Sequence, residues 1–380
     1  MGMASVWGFA LIGMEAIPVR VETHARSGLP GMTVVGLPGT AVREARERIR
    51  SGAASSGVPL PTKRITINLS PVDVPKEGSG FDLPVALALL AACGLLPIDS
   101  VRGVAAVGEV SLDGLIRPTR GMLAVAESAE KLRVGLLIVP AAGLVEAAQV
   151  TTLPLAGVRS LREAIVVLSC STERERVVER GRRWVRLCAA AGAEESPVLL
   201  DLADVAGQGH AKRALEVVAA GSHHLLMVGS PGAGKTMLAR RLAGILPPLA
   251  RDEALDVTRV RSIAGLRQSE VGLARERPFR APHHTASRAA LIGGGVVLRP
   301  GEVSLAHRGV LFLDELPEFS RDALEALRQP LEEGYVSISR RSGTCRFPAD
   351  CTLVAAMNPC PWESKLLRVR AEGTDTRPRP

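Results

Sequence analysis

Gly229-Ser230-Pro231-Gly232-Ala233-Gly234-Lys235-Thr236 follows directly on the apolar run Leu225–Val228. The pattern is G-x-x-x-x-G-K-T. Its glycines let main-chain N–H groups close around an anion, and a helix opening at Lys235 aims the positive end of its dipole at that anion. An apolar run of four residues leading into such a loop reads as a strand, so the segment predicts a strand, a phosphate loop and a helix in an α/β fold. The chemistry expected is binding of ATP. Residues 229–234 cradle the β- and γ-phosphates, Lys235 neutralises their charge, and the Thr236 hydroxyl ligates Mg2+. A plain glycine turn is the bland alternative, and all four fixed positions together with the preceding strand argue against it.

Two further strands supply what hydrolysis needs. Val310–Leu313 is a short apolar run after the turn residues His307, Arg308 and Gly309, and it ends in Asp314 and Glu315. Beside a phosphate loop, a carboxylate at such a strand tip can hold Mg2+ and the next can polarise the attacking water. Asp314 is therefore the candidate metal residue and Glu315 the candidate catalytic one. Thr352–Met357 is a third strand, ending in Asn358, which reads either as a γ-phosphate or water contact or as a turn residue before Pro359.

Composition sets the outer bounds. A chain of 380 residues exceeds what one core usually serves, so two domains are expected. No charge-free apolar stretch is long enough to span a bilayer, and the apolar residues 1–12 lack the basic start and small-residue cleavage site of an export signal. Cys93, Cys170, Cys188, Cys345, Cys351 and Cys360 show no C-x-x-C spacing. That favours a reducing cytoplasm over a disulfide frame and offers no zinc site. Net charge is +8, from 47 Lys plus Arg against 39 Asp plus Glu, which suits a polyanion such as DNA. Aromatic residues make up 3%, too few for base-stacking platforms, so any nucleic-acid contact should be mostly to phosphates.

The first half of the chain has its own grammar. Residues 17–21, 32–35 and 65–69 read as strands, residues from 40 as a charged helix, and 82–96 as a long apolar helix. Strand, helix and strand signals then recur over 104–110, 122–132 and 135–139, giving an α+β domain over 1–170. Residues 171–200 form a charged linker dense in Glu and Arg. Its arginines, from Arg174 to Arg186, read as a solvated helix face with interleaved glutamates or as a DNA contact. The ATPase module runs over 201–361, and 362–380 is a basic tail.

Longer motifs carry a family resemblance. Asp204-Val205-Ala206-Gly207-Gln208, Ala211-Lys212-Arg213-Ala214-Leu215-Glu216 and the phosphate loop are followed by Phe279-Arg280-Ala281-Pro282-His283-His284-Thr285. Next come Pro300-Gly301-Glu302-Val303-Ser304-Leu305-Ala306-His307 and Leu313-Asp314-Glu315-Leu316-Pro317-Glu318-Phe319. This series resembles the Mg-chelatase-like AAA+ ATPases, and most closely their ComM/YifB branch. In the first half, Val35-Gly36-Leu37-Pro38, Lys76-Glu77-Gly78-Ser79 and Phe81-Asp82-Leu83-Pro84 are similar to that branch's N-terminal domain.

The resemblance implies an N-terminal domain like that of Lon protease, with the fold of ribosomal protein S5 domain 2. It also implies an AAA+ core with an insert over residues 263–306 and a hairpin over 336–347. It implies homo-hexameric rings, and a role in DNA remodelling by branch migration, in recombination or in natural transformation. Lys235, Thr236, Asp314, Glu315 and Asn358 match the family's phosphate, metal, water and sensor positions. Ser79 lies in the stretch comparable to the protease serine, but Leu123 stands where its lysine would fall; a serine without a base is a weak nucleophile, so Ser79 reads as structural. His283 and His284 have no cysteine partners at ligand spacing and also read as structural.

The match runs to about residue 361. Beyond it the family continues with a last strand, an arginine finger and a lid, none of which is recognisable in 362–380, so the expectation is a truncated or frameshifted core that lacks its C-terminal lid and is impaired in hydrolysis. The competing readings are a non-hydrolysing nucleotide-binding or interaction protein and, less in keeping with the Lon-like first half that the resemblance implies, a magnesium chelatase motor subunit.

Overall fold

Seven strands make the sheet of the N-terminal unit in a computed structural model that describes residues 2–194, 200–266, 272–295, 298–340 and 343–359. β1 (Gly2–Ile12) and β2 (Glu15–Arg26) form a long antiparallel hairpin, closed at Gly13, whose φ of 60° suits a residue without a Cβ. β3 (Gly31–Val35), α1 (Thr40–Ser55), β4 (Arg64–Ser70), α2 (Asp82–Ala92) and β5 (Val104–Ala106) follow. A small pair, β6 (Glu109–Val110) and β7 (Ile116–Arg117), leads to α3 (Met122–Leu132), β8 (Leu136–Pro140), α4 (Leu144–Ala147), β9 (Leu155–Val158) and α5 (Leu161–Ser169). The strand order is β3-β4-β2-β1-β5-β8-β9, antiparallel across β4-β2-β1 and parallel from β1 to β9.

Alternation along the strands divides the core between two faces. Val104, Ala106, Leu136 and Ile138 point to the side covered by α1, α2 and α5, while Ala105, Leu137 and Val139 point to the side covered by α3 and α4. α2 lies under the sheet with all eleven of its residues buried. It stops at Ala92, short of the predicted 96, because Gly94 turns the chain at φ 81°. The single strand expected over 104–110 is split into β5 and β6 by Gly108 at φ 156°.

The charged segment expected as a linker is over much of its length a helix, α6 (Ser171–Glu194), packed on this unit. Val177 and Val178 are buried in its core, and Gly181 lies against the Leu144 side chain.

The second unit starts with α7 (Gly209–Gly221), β10 (Leu225–Val228), α8 (Lys235–Ile245) and α9 (Arg251–Ala264). β11 (Phe279–Arg280), α10 (Arg288–Ile292), the pair β12 (Gly293–Gly294) and β13 (Arg299–Pro300), α11 (Glu302–Leu305) and β14 (Val310–Leu313) come next. α12 (Arg321–Glu333), the hairpin β15 (Tyr335–Arg340) and β16 (Gly343–Pro348), and β17 (Thr352–Met357) complete it. The sheet is parallel, in the order β10-β17-β14-β11.

The two units meet along α9. Arg259 pairs with Glu127 of α3, Ser262 Oγ donates to the Glu146 carboxylate of α4, and the Gly121 N–H donates to the Ser262 carbonyl at 3.2 Å. A cavity of about 690 Å3 opens at this seam, lined by residues of both units that include Phe9, Ser79, Glu109, Arg120 and Ile263. The predicted tail 362–380 lies outside the described residues, as does part of the predicted insert.

Candidate nucleotide site

Parallel strands deliver their C-terminal tips to one edge, and the order β10-β17-β14-β11 puts every predicted site residue there. β10 runs into the loop 229–234. Gly232 and Gly234 stand at φ 81° and 84°, a backbone region a side chain would strain, and this lets the loop turn into α8 at Lys235. The Gly229 N–H donates to the Met357 carbonyl at 3.3 Å and so ties the loop to the neighbouring strand.

The Lys235 ammonium donates to the carbonyls of Gly229 at 2.7 Å and Ser230 at 3.1 Å, and to Asn358 Oδ1 at 3.0 Å. Asn358, read either as a phosphate or water contact or as a turn residue, thus shares the loop's cation through its side chain. Thr236 Oγ1 donates to Asp314 Oδ2 at 2.7 Å. A hydroxyl and a carboxylate at that spacing are an all-oxygen pair suited to Mg2+, an ion that keeps waters and takes its remaining ligands from substrate phosphates. Among the described residues no group of three or more His, Cys, Asp or Glu could hold a metal.

Glu315 sits in the left-handed region at φ 53°, and its N–H donates to Asp314 Oδ1 at 3.0 Å. Its side chain is half exposed.

Two contributions escaped the sequence reading. Gln208, noted only as part of a motif, donates its side-chain amide to the Ala233 carbonyl at 3.3 Å and braces the loop from α7. His284, read as structural, places Nδ1 3.2 Å from Glu315 Oε2. The signal for it lay in strand pairing rather than in spacing.

The remaining candidates are placed elsewhere. Ser79 donates its hydroxyl to the Glu109 carboxylate, Leu123 is buried, and the fully buried Lys76 gives its ammonium to the Pro71 carbonyl. On α6, Arg176 pairs with Glu173, Arg180 with Glu163, and Arg182 and Arg186 with Glu179.

Comparison with known proteins bears on the family. The family described as "Magnesium chelatase, subunit ChlI" matches residues 201–372, and the one described as "Subunit ChlI of Mg-chelatase" matches residues 21–143. YifB, an uncharacterized protein of Salmonella typhimurium, is 44% identical over 361 residues, covering 95% of this chain and 69% of that protein. Competence protein ComM of Haemophilus influenzae is 43% identical over 369 residues, with the same coverage of 95% and 69%. The magnesium-chelatase 67 kDa subunit of Chlorobaculum parvum is 28% identical over 173 residues, 44% of this chain and 25% of its own length.

Proposed function

The chain belongs to the ComM/YifB family of magnesium-chelatase-related proteins, and from that premise we propose that it is an ATP-binding AAA+ ATPase of the kind that remodels branched DNA. The observation that carries the reading is the meeting of three strand ends, where Lys235 lies 3.0 Å from Asn358 and Thr236 2.7 Å from Asp314. These contacts are the ones phosphate oxygens and a cation would replace. The main-chain N–H groups of the loop, Pro231 excepted, then hold the β- and γ-phosphates, with Lys235 and Asn358 turning to the γ-phosphate. Thr236 and Asp314 would hold Mg2+, which offsets phosphate charge when bound. Glu315 polarises the attacking water.

The DNA part of the proposal is supported by the net charge of +8 and by the kinship to a protein named for competence. With it come a homo-hexameric ring acting in the cytoplasm and an N-terminal unit of the Lon-like kind. Chelation is the weaker alternative, because the chelatase subunit matches only 44% of the chain at 28% identity.

The test is titration of Mg-ATP into the parent and into Lys235→Ala, followed by ATP turnover with forked DNA across a salt series. Loss of a charge-assisted contact worth about 1.5–3 kcal/mol should weaken ATP binding about ten- to a hundredfold. DNA affinity should fall steeply with salt, because phosphate contacts dominate it. Equal ATP affinity in parent and variant would overturn the nucleotide reading, and a salt-independent DNA affinity the phosphate-contact reading.

A further inference from the structure

The cavity at the seam takes its apolar walls from both units. Phe9, Val107 and Val125 line it from the N-terminal unit, and Ile263 and Leu298 from the ATPase unit. A volume of about 690 Å3 is in the range of small-molecule sites, which share a mostly apolar lining with a few polar groups. Two polar groups of this cavity are unspent. Thr119 lines it, and the buried Oγ1 of that residue has no hydrogen-bond partner. Arg120, the next lining residue, makes neither a hydrogen bond nor an ion pair from its guanidinium among the described residues. Burial and the like charge of Arg299, on β13 of the other unit, hold the Arg120 pKa below the ordinary arginine value. A half-buried cation without a counter-ion is costly, and an arriving anion offsets that cost.

Arg120 is held at the seam by its stem. It stands between β7 and α3, and its side chain crosses Gly265, the residue that ends α9 at φ 77°; a Cβ there would lie 2.6 Å from Arg120 Cδ. The Gly121 N–H, bonded to the Ser262 carbonyl at 3.2 Å, fastens the following residue to the same helix. We propose that the cavity is a binding site for a small molecule that joins an apolar body to a single carboxylate, with Arg120 and Thr119 taking the carboxylate and the apolar walls the body. A guanidinium fork matches the two carboxylate oxygens, and a hydroxyl can donate to a remaining lone pair. The acids that line the same cavity limit the charge of the head group. Glu77 is exposed there, and Glu109 accepts from the Ser79 hydroxyl. A phosphate, with more negative charge, meets greater repulsion from them than a carboxylate does. No residue of the phosphate loop lines this cavity, so the inference stands apart from the ATPase reading.

Calorimetric titration of the intact chain with sodium decanoate tests the site, with 1-decanol and decyl phosphate as comparisons. Decanoate should bind the parent as a single molecule per chain and more tightly than either comparison. Arg120→Gln should weaken decanoate about ten- to a hundredfold, the loss expected of one charge-assisted contact, and leave decanol unchanged. Arg120→Lys, which keeps the charge without the fork, should recover part of that loss. Gly80→Leu fills the cavity. A Cβ on this lining residue meets Val107 Cγ2 at 3.4 Å and Thr119 Cγ2 at 3.7 Å, ordinary contacts that leave the main chain in place. Decanoate and decanol should then both lose their binding, while circular dichroism melts report whether each variant is folded.

Absence of decanoate binding to the parent, or binding that survives Gly80→Leu, overturns the site. Equal weakening of decanoate and decanol by Arg120→Gln means that the arginine shapes the seam without meeting a carboxylate, and overturns its role. Decyl phosphate binding more tightly than decanoate overturns the assignment of the head group. If Arg120→Gln does not fold as the parent does, Gly80→Leu together with the decanol and decyl phosphate titrations of the parent decides the proposal.

Discussion

Arg48 and Asp82 decide how α1 sits on α2. Asp82 is fully buried in the first turn of α2, where it accepts from Arg48 at 2.7 and 2.9 Å and from the Val110 N–H at 3.3 Å. Burial pushes its carboxyl above the ordinary carboxylate range, and the guanidinium pulls it back. The two partners are unequal, because the Arg48 side chain keeps 21% exposure and Asp82 has none. Removing the arginine strands a buried charge, whereas removing the acid frees a cation that can reach water. Arg48→Ala should therefore cost about 3–5 kcal/mol of stability, the usual penalty for breaking a buried pair, and Asp82→Asn less. Urea unfolding followed by circular dichroism reads both; equal losses would refute the asymmetry.

Among elements, β10 stands out because the strand that feeds the phosphate loop pairs with β17 alone among the described strands. Leu226 and Val228 are 51% and 54% exposed on it, while all four residues of β14, inside the same sheet, are buried. An apolar edge with unpaired main-chain groups is a template for adding another strand. Leu226→Lys places a charge on that edge outside the phosphate contacts. It should reduce self-association in sedimentation velocity at matched concentration while ATP affinity stays as in the parent. Unchanged association would mean that another surface drives it.

Across the whole molecule, the seam along α9 joins the ATPase unit to the N-terminal one through Glu146, which accepts from the Ser262 hydroxyl and from the Leu123 N–H. Burial raises the Glu146 pKa, so the folded state holds its proton to higher pH than the unfolded chain does. A raised carboxyl destabilises the folded state once both forms are ionised, and this penalty fades as pH falls through the folded value toward the unfolded one. Glu146→Gln should therefore stabilise the chain near neutral pH, with the gain over the parent disappearing as pH approaches about 4.5. Thermal melts of parent and variant across that range check the sign, and a gain that grows on acidification would refute it.

What could be read from the sequence alone was what contiguous residues carry. The phosphate loop, its strand and its helix, the Asp314-Glu315 pair at a strand tip and Asn358 at another are each specified within a few residues. Period-two alternation likewise announced β4, and an unbroken apolar run announced α2. Periodicity says which face of an element is buried, and not against what. The splitting of 104–110 at Gly108, the docking of α6 by Val177 and Val178, and the ion pair of Arg48 with Asp82 all depend on neighbours far along the chain. So does the contact of His284 with Glu315, which exists only because β11 pairs beside β14. Sheet order is settled by long-range pairing, whose gains must exceed the loop entropy of bringing distant segments together, and no local pattern encodes that balance. The sequence thus determined where a phosphate-loop pattern and an acid pair lie along the chain; the tertiary structure decided that Lys235 meets Asn358 and Thr236 meets Asp314, because strands far apart in the chain pair side by side.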